Sequence, residues 1–498
     1  ERFIMRKSGI LLHITSLDSP YGIGTIGKSA FDFIDFLNMS KVKCWQILPI
    51  GHTSFGDSPY QTFSAFAGNP YMIDLDALVT EGLLTTEEVL PFKVNVGKVD
   101  YENLYNTRFS LFSKAFTRFF KIHKNKEYED FKDKNSYWLD DYALFMTLKN
   151  KYHGAPWFMW DDEYKFRNEQ ALTEFSLFHN EKIEYWKFIQ YEFFKQWDKL
   201  KKYASKNDIE IIGDLPIYVA YDSVDVWAEP TNFLVKDDLT LDVVAGVPPD
   251  YFSQDGQLWG NPIYDYKKME KDNYTWWIRR IDKAFSLFDY VRIDHFRGFE
   301  AYYAIDAKAK TARDGRWHKG PGIALFEEIR RQLGDKKIIA EDLGLLTKEV
   351  YELLEATGFP GMKILQFAFD PYNDNPYLPH NTIKNSIYYT GTHDNMTLRE
   401  WIESLEGLQK DYVYEYCNVN KNEKDADDKL LDALIRIALG TSSDMCIIPL
   451  TDYLKLGSKG RMNTPSKAYG NWTFRVTEPL TEELSEYIYK LNKIYKRI

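Results

Sequence analysis

The chain is poor in the features that would place it in several large classes. It has three cysteines, Cys44, Cys417 and Cys446, far apart and odd in number. That excludes a disulfide framework and a CxxC metal site, and a reducing cytoplasm is the expectation. It has no apolar run near the ~20 residues of a membrane span, and its opening, "ERFIMRKSG", reads as lacking a signal-peptide h-region. It lacks excess positive charge: 63 Lys and Arg stand against 74 Asp and Glu, a formal net of −11. Nucleic acid and anionic membrane are therefore poor partners, because both require a basic footprint. No low-complexity tract and no solenoid period stands out.

Aromatic rings are abundant, at 16% of residues with 35 Tyr, 33 Phe and 13 Trp. Such rings build cores, and they also pack on sugar faces while Tyr and Trp keep a polar edge.

Eight short apolar runs, each ending in a polar residue and loop chemistry, recur along the chain. They cover 9–17, 44–50, 209–218, 289–296, 337–344, 362–370, 386–394 and 444–450. Aliphatic runs without polar alternation are the pattern of strands covered on both faces. Segments with helical spacing, such as "WWIRRIDKAFSLF" (276–288) and "GIALFEEIRRQLG" (322–334), lie between several of them. Thr347 stands where it can cap the helix of "LTKEVYELLEATG". The pattern predicts an α/β fold, a (β/α)8 TIM barrel over 1–498.

About 160 residues separate the second and third runs, far more than a βα connection needs. A mainly helical inserted subdomain is expected over 51–183, with "EYWKFIQYEFFKQWDKLKKYAS" (184–205) as the helix returning to the barrel. A second insertion, 215–275, is rich in Pro, Gly, Asp and Trp. Insertions after strands 2 and 3 would wall the catalytic face of the barrel.

Charged groups fall at the ends of these runs: Asp214, Asp294, Glu341 with Asp342, and His393 with Asp394. Any single one has an ordinary reading as a helix cap or ion-pair partner. At successive strand ends of a barrel they converge, and convergent carboxylates suit glycosidic chemistry. One must be ionised at the sugar carbon, and another must carry a proton for the leaving oxygen. A zinc pair is the rival use of Asp and His at barrel strand ends, but the first strand offers only His13 and no HExxH occurs, so no metal is expected.

The motifs "GDSPYQTFSAFAGNPYMIDL" (56–75), "GDLPIYVA" (213–220), "AGVPPDYFSQDGQLWGNPIYD" (245–265), "VRIDHFRG" (291–298), "IIAEDLG" (338–344), "GTHDN" (391–395) and "RMNTPSKAYGNWTFR" (461–475) span almost the whole chain. In this order they resemble the amylomaltases, the 4-α-glucanotransferases of glycoside hydrolase family 77. The resemblance implies a retaining double displacement on α-1,4-glucans, with no metal or organic cofactor. It implies Asp294 as nucleophile, Glu341 as acid/base and Asp394 as the third carboxylate. Asp214, Arg292, His295 and His393 would line the same sugar subsite, and Asp57 and Tyr60 would face the glucan.

Arg292 shares a strand face with Asp294 and is expected to hold that carboxylate ionised. The loop 251–262 is the candidate acceptor side. Tyr251, Phe252 and Trp259 would pack on glucose rings, with Asp255, Gly256 and Gln257 as a flexible turn. Phe55, Phe474 and Ser466 depart from the family pattern away from the three carboxylates. Arg297 has no role in this scheme and is expected to form a structural ion pair. The expected partners are maltooligosaccharides and longer α-1,4-glucans, with glucose as an acceptor and the protein a monomer or weak homo-oligomer. An α-amylase-like hydrolase on the same barrel is the alternative.

Overall fold

A computed structural model describes residues 6–94, 96–122, 125–250, 253–344, 346–465 and 467–498. Each of the eight apolar runs supplies one strand of a closed parallel barrel. In chain order these are β1 (Lys7–Leu11), β2 (Cys44–Gln46), β3 (Glu210–Leu215), β6 (Tyr290–Ile293), β9 (Ile338–Ala340), β10 (Gly361–Ile364), β11 (Ser386–Tyr389) and β12 (Met445–Pro449). Neighbours in the barrel follow chain order, and β12 closes onto β1 from Lys7↔Met445 to Leu11↔Pro449.

The lack of polar alternation has a direct cause, since both faces of each strand are covered. Leu11, Ile212, Ile339, Met362, Ile387 and Ile447 fill the inside of the barrel. Their neighbours Ile10, Ile211, Ile338 and Ile448 pack outward against the helical layer.

The 51–206 region is largely helical, with long helices over Tyr101–Ile122, Lys126–Lys151 and Asn180–Lys206. The last of these delivers the chain to β3, and on the way it grips the preceding loop. The Gln190 amide accepts from Gly68 N–H at 2.7 Å and donates to Gly68 C=O at 2.9 Å. Gln196 does the same with the Asp74 backbone, at 2.7 and 3.2 Å. Residue 68 must be glycine here, because a Cβ would sit 2.1 Å from the Phe193 ring.

The second insertion carries regular β-structure as well as loops. It contributes β4 (Val243–Val247) and β5 (Gln257–Leu258) to a four-stranded sheet, which β7 (Ala301–Asp306) and β8 (Arg316–Lys319) complete in the order β5-β4-β7-β8. The flexible turn expected at 255–257 is therefore pinned. Gln257 pairs with Val247, the Asp255 carbonyl accepts from Ala312 N–H at 2.9 Å, and the Asp255 carboxylate meets Arg313 at 2.5 Å. Thr347 does stand at the N-cap of the helix Lys348–Thr357, but its side chain makes no capping bond. Among the described residues no helix is long and apolar enough to cross a membrane, and all three cysteines are free thiols.

Candidate active site

Strand β6 brings Arg292 and Asp294 to its end. The turn that follows is anchored on both sides: Asp294 N–H donates to Leu215 C=O, and Glu341 N–H donates to Ile293 C=O, each at 3.0 Å. His295 then takes the left-handed conformation (φ 51°, ψ 51°), a costly state for a non-glycine residue. This aims its N–H at Glu341 Oε2, 2.8 Å away. The Glu341 carbonyl also accepts from Phe296 N–H at 3.0 Å, and Glu341 Oε1 accepts from Leu343 N–H at 2.8 Å. The Asp294 turn and Glu341 thus form one hydrogen-bonded unit. The His295 ring packs over Gly298, where a Cβ would come within 2.9 Å of it.

Arg292 is spent differently from the sequence-based expectation. Its Nη1 donates to both Asp214 oxygens at 2.9 Å, and its Nη2 is 3.4 Å from Asp294 Oδ1. Tyr60 Oη also donates to Asp214, at 2.6 Å. The Asp214 side chain has no exposed area, so it stands behind the site, holding Arg292 and Tyr60, and offers a sugar no surface.

Asp294 is accordingly not kept low. Burial pushes its carboxyl up to about 7; Arg292 pulls it down, while Glu341, Asp214 and Asp394 add to the rise. The expectation that Arg292 holds Asp294 ionised fails because the shorter bonds of that one cation go to another carboxylate.

Asp394 is set the other way. Against the upward push of burial, His393 beside it and the bonds from His393 and Asn463 hold it down at about 2. Asn463 Nδ2 donates to Asp394 Oδ1 at 2.7 Å, and His393 Nε2 lies 3.3 Å from Oδ2. The Tyr60 ring stacks on His393 at 5.1 Å and 18°, and Trp472 closes the cluster at 5.8 Å from Tyr60 and 6.0 Å from His393. Asn463 and Trp472 are the residues that sequence reasoning missed; both lie in the quoted 461–475 motif, which is the signal that could have found them.

In the loop expected on the acceptor side, Trp259 meets the His295 ring edge-on at 4.8 Å and donates to Gln257 Oε1 at 3.2 Å. Burial and Arg297 lower His295 to about 3, so its imidazole is neutral, and its covered Nε2 makes no hydrogen bond. Asp57, at φ 62° in a turn after Gly56, sits beside Tyr71 and Tyr101, and burial raises it to about 6. Phe55, at the tip of that turn, is fully exposed. Tyr251, Phe252 and Ser466 lie outside the described residues. Arg297 stacks its guanidinium 4.1 Å above the Trp317 ring.

A parallel barrel that gathers Asp294, Glu341 and Asp394 at three strand ends, flanked by neutral imidazole and stacked rings, defines a carbohydrate-active (β/α)8 enzyme. Comparison with known proteins narrows this class. The family described as 4-alpha-glucanotransferase matches residues 12–481. The 4-alpha-glucanotransferase of Streptococcus pneumoniae (serotype 4 strain) is 47% identical over 99% of this chain and 98% of its own. That of Thermus thermophilus is 44% identical over 95% of each. The amylomaltase of Streptococcus agalactiae, solved in complex with acarbose, superposes with a TM-score of 0.95 at 41% identity, covering 99% of both chains.

The chain belongs to the 4-alpha-glucanotransferase family. It is an enzyme of glucan transfer. The hydrolase alternative is not favoured, because full-length relatives carry the transferase name.

Proposed function

We propose that Asp294 is the nucleophile of this transfer, Glu341 its acid/base and Asp394 its fixed anion. The observation that carries the assignment is the His295 N–H···Glu341 Oε2 bond, which ties the residue after Asp294 to Glu341.

Glu341 gives its proton to the glycosidic oxygen as an Asp294 oxygen attacks the sugar C1. The C1–O bond breaks, the shortened glucan leaves as an alcohol, and a glycosyl ester remains on Asp294. The 4-hydroxyl of an incoming sugar then loses its proton to Glu341 and attacks C1. The ester breaks, Asp294 is freed, and two inversions give net retention. Asp294 attacks in its ionised form, which the free protein populates as pH rises through about 7. Asp394, held near 2, stays charged throughout and accepts from sugar hydroxyls in the distorted ring. Trp259 and the neutral His295 orient the acceptor, and a held acceptor is what favours a sugar over water.

All three carboxylates come from one barrel, so a monomer is sufficient. The three free cysteines fit work in a reducing cytoplasm. Incubation with maltotriose tests the reading: glucose plus maltopentaose and longer chains is expected. Glucose and maltose without longer products would overturn it.

A further inference from the structure

Eleven of the thirteen tryptophans are buried. Of the other two, Trp259 lies just beyond β5 and Trp317 lies in β8 of the four-stranded sheet, and both touch the turn that follows Asp294. Trp259 packs on His295, and Trp317, 40% exposed, carries Arg297 on its ring.

Trp317 is in an unusual place. It lies within β8, an edge strand exposed along its length, between Arg316 and the pair His318–Lys319. Charge on an edge strand guards it against pairing with other chains. An open indole in its middle works against that protection, so the ring needs another reason to be there. It is also fixed rather than loose, with Arg297 at 4.1 Å over it and Tyr303 at 5.1 Å. Arg297, which had no place in the chemistry, becomes the residue that holds this ring flat.

The loop from β7 into β8 runs back to the acceptor-side loop, where Arg313 and Ala312 hold Asp255. The two edges of the sheet, with Trp259 just beyond β5 and Trp317 in β8, stand three strand spacings or roughly 14 Å apart. We propose that Trp317 is an outer sugar-stacking platform for α-1,4-glucan chains that extend past Trp259. The inference rests on the transferase reading of the same site. It adds that the chain carries a second contact for the acceptor, one that short oligosaccharides do not reach.

Steady-state transfer with maltotriose and with maltoheptaose separates the two. Trp317→Ala should raise KM for maltoheptaose about 5–10-fold and move KM for maltotriose and both kcat values by less than about twofold. Trp317→Phe should fall between, because a smaller ring still stacks. Equal losses on both substrates would make the indole a scaffold residue and overturn the proposal, as would an unchanged KM for maltoheptaose. Failure of the wild type to lengthen maltotriose would instead sink the transferase reading itself.

Discussion

Asp294 and Asp394 both end a barrel strand on the same face, yet their surroundings drive them apart, to about 7 and about 2. The difference lies in who owns the donors. Asp394 has Asn463 to itself and a histidine alongside. Asp294 shares Arg292 with Asp214, which takes the two shorter bonds, and it faces three other carboxylates. One carboxylate is built to stay charged. The other is left poorly compensated, which suits the nucleophile role proposed for it.

Removing the poorly compensated charge should have the largest effect. Asp294→Asn should lower kcat by at least about 10⁴-fold, measured as glucose release from maltotriose. It should also stabilise the fold. With a folded value near 7 against an ordinary 3.8, ionised Asp294 costs the native state at pH 8. The variant should gain about 1–2 kcal/mol there, allowing for its 30% exposed side chain. That gain should shrink as pH falls from 7 towards 3.8, where the wild-type group takes up its proton. Asp394, held down, runs the opposite way: its contribution is complete above 3.8 and is lost as pH falls through 2.

Asp214→Asn tests the sharing of Arg292. The kcat/KM profile of the wild type should rise through an acidic limb near 7, as Asp294 loses its proton. With one carboxylate neutralised, Arg292 is free to favour Asp294, and the limb should move down by about one pH unit. An unmoved limb would show that the two acids do not compete for it. The smallest change comes from Asn463→Ala, which removes one donor from Asp394. We expect kcat/KM to fall about 10-fold with the melting temperature nearly constant, and a wild-type rate would detach Asn463 from the site.

The barrel was legible in the sequence because its strands are buried on both faces and therefore read as unbroken apolar runs. The three carboxylates were legible because they end such runs. The small sheet was not: β5 has two residues, and β7 and β8 follow the Asp294 turn rather than sitting inside the second insertion. The choice made by Arg292 was hidden for a different reason. Asp214 and Asp294 are both within its reach at adjoining strand ends, and only the packing of β3 against β6, with Asp214 opposite Arg292, decides between them. Asn463 and Trp472 lie about 70 and 80 residues beyond Asp394; their motif marks the segment, but only the fold brings these two side chains to the site.

The two glutamines of the 27-residue helix carry a consequence of their own. By closing on the backbone at Gly68 and Asp74, they make the loop that bears Tyr60 open and close on the clock of that helix. Segments tied in this way unfold as one cooperative unit. The loop that bears Tyr60 therefore opens together with that buried helix rather than on its own.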